Sequence, residues 1–486
     1  MNHPPEAPQH HPPVARGMLV PLIVACALFM ENLDSTIIAT ALPAIAQSMN
    51  EDPLHLSMAV TSYLLSLSIF IPLSGWMADR YGARRVFRNA ILIFVLGSIA
   101  CALSQSIGQL VSARMLQGLG GAMMVPVGRL VLLREVDKAN LVGAMSYLTI
   151  PALMAPILGP PLGGLIVTFA SWRLIFLINV PIGVLGWWLV SRYIREVREE
   201  HQPPLDLAGW MILGAGLAGM IFGFENLGKH VLSPGIAPAI LLGGIALLGL
   251  YAWHARHEHS PILKLSLMRV ATFRVSITGG SLFRIGVGAF SVLLPMMLQL
   301  GFGLSALQSG SITFASAVGG LIMKTIAQRL TRRFGFRDLL IRNTVICGCA
   351  LMLCGWLRPS LPYALMIGFL VLTGFFRSLQ FTCVNAMAFA DIDEDDMSQA
   401  TSFSSTAQQL ALSVGVGIGV QVLNISMALR HDTALDDIDF IIAFFVVGLI
   451  SLSSLLSFRR LAPGAGSSVS GHRLALANES PPTAAH

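Results

Sequence analysis

Apolar runs of membrane-spanning length, each closed by charged residues or by Pro and Gly, follow one another along nearly the whole chain. A run of roughly 20 apolar residues is what a helix needs to cross a bilayer. The pattern predicts spans near 17–43, 56–78, 85–104, 107–129, 140–169 and 172–191, then two near 206–226 and 235–253. Six more follow near 273–301, 306–328, 339–357, 361–389, 399–427 and 439–458. The expected fold class is an all-α membrane protein with fourteen transmembrane helices. Its parts would be a six-helix bundle over 17–192, two inserted helices within 206–253, a cytoplasmic loop over 254–272 and a second six-helix bundle over 273–460. Residues 1–16, rich in Pro and His, read as a disordered cytoplasmic leader ahead of a first apolar run too polar for a signal peptide, and 461–486 as a disordered cytoplasmic tail.

Alternating the loops between the two membrane faces sorts the charges. Of the 31 Lys and Arg, 22 fall in the termini and loops of one face, and only Arg173, Lys229, Arg358 and Arg430 on the other. Basic loops stay cytoplasmic, so both termini are expected there. The acidic loop with Asp391, Asp393, Glu394, Asp395 and Asp396 lies on the basic face too, but acids weigh little in that rule.

Composition narrows the function. The chain is 54% hydrophobic and 12% charged, with a mean hydropathy of +0.71, more apolar surface than a soluble domain buries. Fourteen spans leave no room for a catalytic or ATPase domain, and no phosphate-binding G-x-x-x-x-G-K-S/T loop occurs, so the chain is not expected to be an enzyme. Uphill transport would then draw on an ion gradient, with protons, a small-molecule substrate and the lipid bilayer as partners. No cofactor, metal or nucleic acid is expected, and a monomer is. The net charge of +6 is spread over short loops rather than one nucleic-acid-binding face. Cys26, Cys101, Cys347, Cys349, Cys354 and Cys383 sit in apolar runs as small hydrophobes. The His254, His257 and His259 spacing is a weak metal signal in a polar loop.

An internal repeat supports two related bundles: Arg80-Tyr81-Gly82-Ala83-Arg84 recurs as Arg333-Phe334-Gly335-Phe336-Arg337 in the matching loop. The second copy has Arg332 where the first has Asp79. In the first, Gly75 permits close helix contact, Gly82 a tight turn, and Asp79 can face a helix N-terminus or a loop arginine.

The stretch GWMADRYGARR at 75–85 resembles the G-x-L-A-D-R-x-G-R-K/R loop of the major facilitator superfamily. The resemblance implies that fold and a gating latch of Gly75, Asp79, Arg80, Gly82, Arg84 and Arg85. LDSTIIATALP at 33–43 is similar to the first-helix motif of fourteen-helix drug:proton antiporters of the EmrB/QacA type. LVSARMLQGLGGA at 110–122 resembles their fourth-helix motif, which implies that Arg114 is a proton-relay or substrate arginine and places Gln117 beside the cavity. APILGPPLGG at 155–164 resembles the antiporter motif, carried here by Gly159, Pro160, Gly163 and Gly164. GGAMMVPVGR at 120–129 and SWRLIFLINVP at 171–181 look most like the MdtD-type subgroup. The resemblance therefore implies a multidrug-type efflux antiporter of the bacterial inner membrane, working by alternating access.

The spans carry their own chemistry. Asp34 is costly in lipid unless it pairs, faces a cavity or takes a proton, and Glu31 lies one helical turn away. Both are candidate proton carriers, with Arg114 linking them to substrate. Arg114, Arg129, Arg284, Lys324 and Arg377 also fall in apolar runs, against few acids. A surplus of arginine favours carboxylates and phosphates, so an alternative substrate class is organic anions or metal chelates such as citrate complexes. Arg129 and Lys324 lie near helix ends and are read as snorkelling, which leaves Arg114, Arg284 and Arg377 for the substrate cavity. An uncoupled facilitator or sensor is a further alternative that would need no proton-carrying acid.

Overall fold

The computed structural model describes residues 14–49, 53–137, 140–196, 204–227, 235–431 and 435–472. Every regular element among them is helical, as backbone that must satisfy its own polar groups in lipid requires. The first, α1 (Val14–Met49), takes in the last three residues of the segment 1–16 read as a leader, whose remainder lies outside the described residues. Helix α2 (Pro53–Phe70) runs through a tight turn at Ile71–Leu73, where Pro72 lacks an N–H, into α3 (Ser74–Tyr81). Across Gly82 the chain enters α4 (Ala83–Leu103), then α5 (Ile107–Glu135), which Ser106 caps by accepting from the Gln109 N–H. The first bundle closes with α6 (Leu141–Phe169), the single turn α7 (Leu174–Leu177) and α8 (Asn179–Tyr193).

Two further helices follow, α9 (Leu207–Asn226) and α10 (Ile236–His257). The second bundle holds α11 (Ala271–Met296), α12 (Ala306–Cys354), α13 (Tyr363–Ala388), α14 (Met397–Arg430) and α15 (Asp437–Phe458). A single turn, α16 (Ser467–Ser470), ends the described chain. Twelve helices among the described residues are long and apolar enough to cross a membrane, so the chain is a multi-pass membrane protein. One of them stands apart: α12 has 49 residues, about 74 Å at the helical rise, against a hydrocarbon core of about 30 Å. It is broken at Gly335, where φ is 69° and ψ 169°.

That break is the structural trace of the sequence repeat. Gly82, at the matching place, has φ 91° and ψ 135°, so both loops turn on a glycine in a backbone region that side chains avoid. The packing repeats as well. Within the first bundle α1 lies on α6, and α5 on α2 and α4; within the second α11 lies on α14, and α12 on α13 and α15. Between the bundles, α3 meets α14 while α6 meets α12, so each bundle presents its second helix to the fifth of the other.

The inserted pair packs on itself through small residues: a Cβ on Gly244 would meet the Met220 backbone nitrogen at 2.5 Å. Helix α9 then leans on both bundles. The Trp210 indole N–H donates to the Ile69 carbonyl at 2.8 Å, and Gly417 of α14 fits beneath the Phe224 ring. Leu242 and Trp253 of α10 are exposed, as a lipid-facing helix requires.

The segment 461–486, read as a disordered tail, is ordered at its start. Val469 is buried, and the His472 imidazole bonds the Arg332 carbonyl at 2.9 Å beside Gly335. Apolar burial and a carbonyl left open by the break hold it there, while 473–486 lies outside the described residues.

Candidate functional site

Asp34 stands in the middle of α1, 1% exposed, and three other helices converge on it. The Arg114 guanidinium of α5 meets Asp34 Oδ2 at 2.5 Å. The Gln117 amide, one turn along α5, donates to Asp34 Oδ1 at 2.8 Å, and the Asn179 amide at the start of α8 donates to the same oxygen at 2.8 Å. Both amides also donate to Ser98 Oγ on α4. Arg114 is fully buried, donates further to Gln117 Oε1 and to the Ala59 carbonyl of α2, and stacks its Cζ 4.3 Å from the Tyr63 ring. A buried charge is tolerable on these terms: a charged partner at contact distance and neutral donors on the remaining lone pairs.

Glu31 is placed differently. It is buried, its Oε2 has no hydrogen-bond partner, and the Tyr63 hydroxyl is likewise without one. Both point at Gly121 of α5, where a Cβ would lie 3.0 Å from the hydroxyl and 3.7 Å from the Glu31 carboxyl carbon. The two acids of α1 thus sit in two settings, one fully bonded and one open.

The glycines of the fifth span hold α1 in place. A Cβ on Gly159 would meet Thr36 Oγ1 at 2.4 Å, two residues beyond Asp34, and that hydroxyl donates to the Ala155 carbonyl at 3.3 Å. Gly163 is buried, Gly164 is exposed with open space around it, and Pro160 lies within α6.

At the end of the molecule that carries most of the loop arginines, the latch residues meet the second bundle. Gly75 abuts the Ser398 carbonyl, which a Cβ would approach to 2.8 Å. The Ser398 hydroxyl donates to Asp79, and Arg134 of α5 lies 3.6 Å from the other carboxylate oxygen. Ser398 is the second residue of α14, so Asp79 faces a helix N-terminus and an arginine together. Arg84 donates to the Ser191 carbonyl, Arg85 pairs with Glu196 at 3.5 Å, and Arg80 is exposed.

Of the other cations, Arg377 lies inside the second bundle rather than between the bundles. It donates to Ser316 Oγ at 2.7 Å, stacks on Phe290 at 4.6 Å and borders a small cavity of about 20 Å³ lined by α11, α12, α13 and α15. Arg284 donates to Asn385 Oδ1 at 2.7 Å. Arg129 and Lys324, read from sequence as snorkelling, are only 6% and 9% exposed, because α13 covers them. Glu225 of α9, which no motif marks, accepts from Thr61 of α2 at 2.6 Å. His254 pairs with Asp206 at 3.0 Å near Glu258, the one metal-like grouping among the described residues. Asp206 is already engaged as the N-cap of α9, accepting from the Gly209 N–H, which explains the cluster without an ion.

The reading by residue type missed Asn179, Ser98 and Tyr63. Asn179 had a signal, a polar residue in the apolar SWRLIFLINVP stretch; Ser98 and Tyr63 had none, being common in spans.

Helical bundles in two related halves, with a buried ion pair at the centre of one, are the arrangement of a membrane transporter. The chain belongs to the major facilitator superfamily, whose family model matches residues 24–416 and, in overlap, 277–474. It is 38% identical over 395 residues to MdtD of Salmonella typhimurium, which bears the provisional name of a multidrug resistance protein; 79% of this chain and 81% of the relative are covered. MdtD of Escherichia coli O127:H6 is 38% identical over 389 residues at the same coverage. Among solved structures, the human organic anion transporter MFSD10 aligns with a TM-score of 0.65 at 15% identity, over 92% of this chain and 100% of that one. A double tryptophan mutant of XylE aligns at 0.67 and 14% identity, over 94% and 99%. At such identity these two speak for the fold alone.

Proposed function

We infer that this transporter is a proton-coupled exporter of small molecules, a multidrug-type efflux antiporter of the bacterial inner membrane with both termini cytoplasmic. Fourteen spans follow when α12 is divided at Gly335 and Leu141–Phe169 is counted with the twelve. The observation that carries the coupling is the Asp34 centre, where one carboxylate ties α1 to α5 and α8 through Arg114, Gln117 and Asn179. A proton on Asp34 cancels the charge that holds Arg114, freeing that guanidinium and loosening three helices at once. Glu31, one turn away and open at Oε2, is the second carrier. The loop arginines mark the cytoplasmic side, which the Asp79–Ser398 contact closes in this structure. Proton release at Asp34 on that side, with Arg114 recaptured, would alternate with substrate binding as the bundles rock.

The test uses everted membrane vesicles with an imposed proton gradient. Asp34→Asn should insert normally, keep its amide contacts and lose gradient-driven efflux, while Glu31→Gln should shift its pH dependence. Wild-type efflux by Asp34→Asn would sink the coupling role.

A further inference from the structure

Helices α4 and α8 pack side by side in the first bundle, and their ends near the loop arginines form a corner of arginine and aromatic side chains. Arg84 and Arg88, one turn apart on α4, meet Ser191 and Trp187, one turn apart on α8. Arg84 donates to the Ser191 carbonyl, and the Arg88 Cζ lies 5.6 Å from the Trp187 ring centroid. Arg192 places its Cζ 5.8 Å from the Tyr193 ring, which Trp188 meets edge to face at 6.3 Å. Trp187, Trp188 and Tyr193 are all exposed. Rings with one polar and one apolar end settle at the level of lipid headgroups.

Beyond this corner the same two helix faces turn apolar. Leu92 and Leu96 continue the Arg88 face of α4 at four-residue steps, and Val184 precedes Trp187 and Trp188 on α8 by three and four. All three are exposed, so an apolar strip about 12 Å long at the helical rise leads from Arg88 toward the bilayer centre. Arg88 itself is the unsettled member. Its Nε is buried and has no hydrogen-bond partner, and no acid pairs with it among the described residues. A snorkelling arginine carries its whole head group to water, whereas this one lies on an indole with Nε enclosed. Arg84, Arg85, Arg88, Arg192 and Arg195 gather at these two helix ends, against Glu196 as the acid among the described residues there. Such an excess favours an anionic partner, and a planar guanidinium favours phosphate oxygens.

We propose that Arg88, Arg192, Trp187 and Trp188 form a binding site for one anionic phospholipid of the cytoplasmic leaflet, its phosphate on Arg88 and an acyl chain along Leu92, Leu96 and Val184. The apolar strip selects lipid over free phosphate, and the surplus of arginine selects an acidic headgroup over a zwitterionic one. The site shares with the exporter reading only the cytoplasmic placement of the loop arginines; it does not depend on coupling or on the direction of transport.

The test reconstitutes the full-length protein in phosphatidylcholine vesicles with increasing fractions of phosphatidylglycerol whose acyl chains are brominated and so quench nearby tryptophans. Brominated phosphatidylcholine is the reference, and a variant with both Trp187→Phe and Trp188→Phe gives the signal of the remaining tryptophans. Phosphatidylglycerol should quench Trp187 and Trp188 saturably at a low mole fraction, with a preference over phosphatidylcholine of roughly tenfold or more. Arg88→Gln should lower that preference about fivefold, and Arg88→Lys should keep part of it. Arg333→Gln, which removes an exposed arginine resting on Phe334 of α12, should keep all of it. Inorganic phosphate at constant ionic strength should not relieve the quenching; relief would make the site one for free phosphate and overturn the lipid assignment. Equal quenching by the two lipids, or an unaltered preference in Arg88→Gln, would overturn the site. Asp34→Asn separates the two readings: it should lose gradient-driven efflux yet keep the lipid preference, so failure of the coupling role leaves the binding result standing.

Discussion

Two buried charge clusters in this molecule meet the cost of ionic groups in lipid in opposite ways. In the first bundle Arg114 is paired with Asp34 at 2.5 Å, and two amides complete the carboxylate's hydrogen bonds. In the other cluster, Arg284 and Lys324 each donate to a neutral acceptor, Arg129 leaves Nε and Nη1 without one, and no acid answers the three among the described residues. The first cluster satisfies its acid in full, although Arg114 Nη2 and Asn179 Oδ1 have no partner. The second has cations and no acid to satisfy them.

The sharpest way to break this contrast is to remove one cation from each. Arg114→Gln leaves Asp34 buried and without its counter-charge, which should cost about 3–5 kcal/mol. The apparent unfolding midpoint should fall steeply and gradient-driven efflux should vanish. The double variant Asp34→Asn with Arg114→Gln should recover most of the stability and none of the coupling, because it removes the whole pair. Arg284→Met should do the reverse. Taking away a buried cation with no acidic partner should stabilise the protein by roughly 1–3 kcal/mol, seen as a higher midpoint. A midpoint lowered equally by both substitutions would mean that the two clusters are alike.

Next in size is the scaffold that presents Asp34. Gly159→Ala puts a methyl 2.4 Å from Thr36 Oγ1, and the Ile37 backbone nitrogen stands 3.4 Å behind. Moving α1 off α6 should cost about 1–3 kcal/mol and slow proton-driven efflux, measured in vesicles beside the unfolding midpoint. Gly164→Ala, with open space around it, should change neither.

How much of this was legible in the chain follows from the physics of each feature. Spans are readable because the bilayer demands length and apolarity from each segment separately, and the turn at Gly335 because its loop repeats one around Gly82. Asp34 and Arg114 declare themselves through the cost of a charge in an apolar run. Asn179 does not, since an amide is cheap enough to sit in any helix, and its bond to Asp34 joins residues 145 apart. Arg129 misleads for a related reason. Its place near a helix end suggests an exit to water, and only the arrival of α13 and Phe389 closes that exit. Intramembrane charges are marked by composition; what answers them is a matter of tertiary structure. The ordered start of the tail at Val469 and His472 is hidden likewise, because a Gly- and Ser-rich segment gains order here from one surface it covers.

The smallest effect expected tests whether the closing latch behaves as a buried ion pair like that of Asp34 and Arg114 or as a surface one. Asp79 accepts from Ser398 and lies 3.6 Å from Arg134, so it resembles Asp34 in having both a neutral donor and a cation, but the ion pair is longer and nearer to water. Asp79→Asn keeps a hydrogen-bonding group against Ser398 and loses the charge that faces Arg134 and the start of α14. The loss should be about 0.5–1.5 kcal/mol, too little to unfold the protein but enough to shift a balance between two conformations several-fold. A cysteine placed at Ser402, beneath the closed contact with Pro72, should then react faster with a membrane-impermeant thiol reagent applied from the cytoplasmic face. Arg85→Ala serves as the reference, since its pair with Glu196 is mostly exposed and should contribute less than 1 kcal/mol. Equal labelling rates in the two variants would class the latch with surface ion pairs. A faster rate in Asp79→Asn alone would make it a third buried centre, one whose charge holds the bundles together rather than coupling them to a proton.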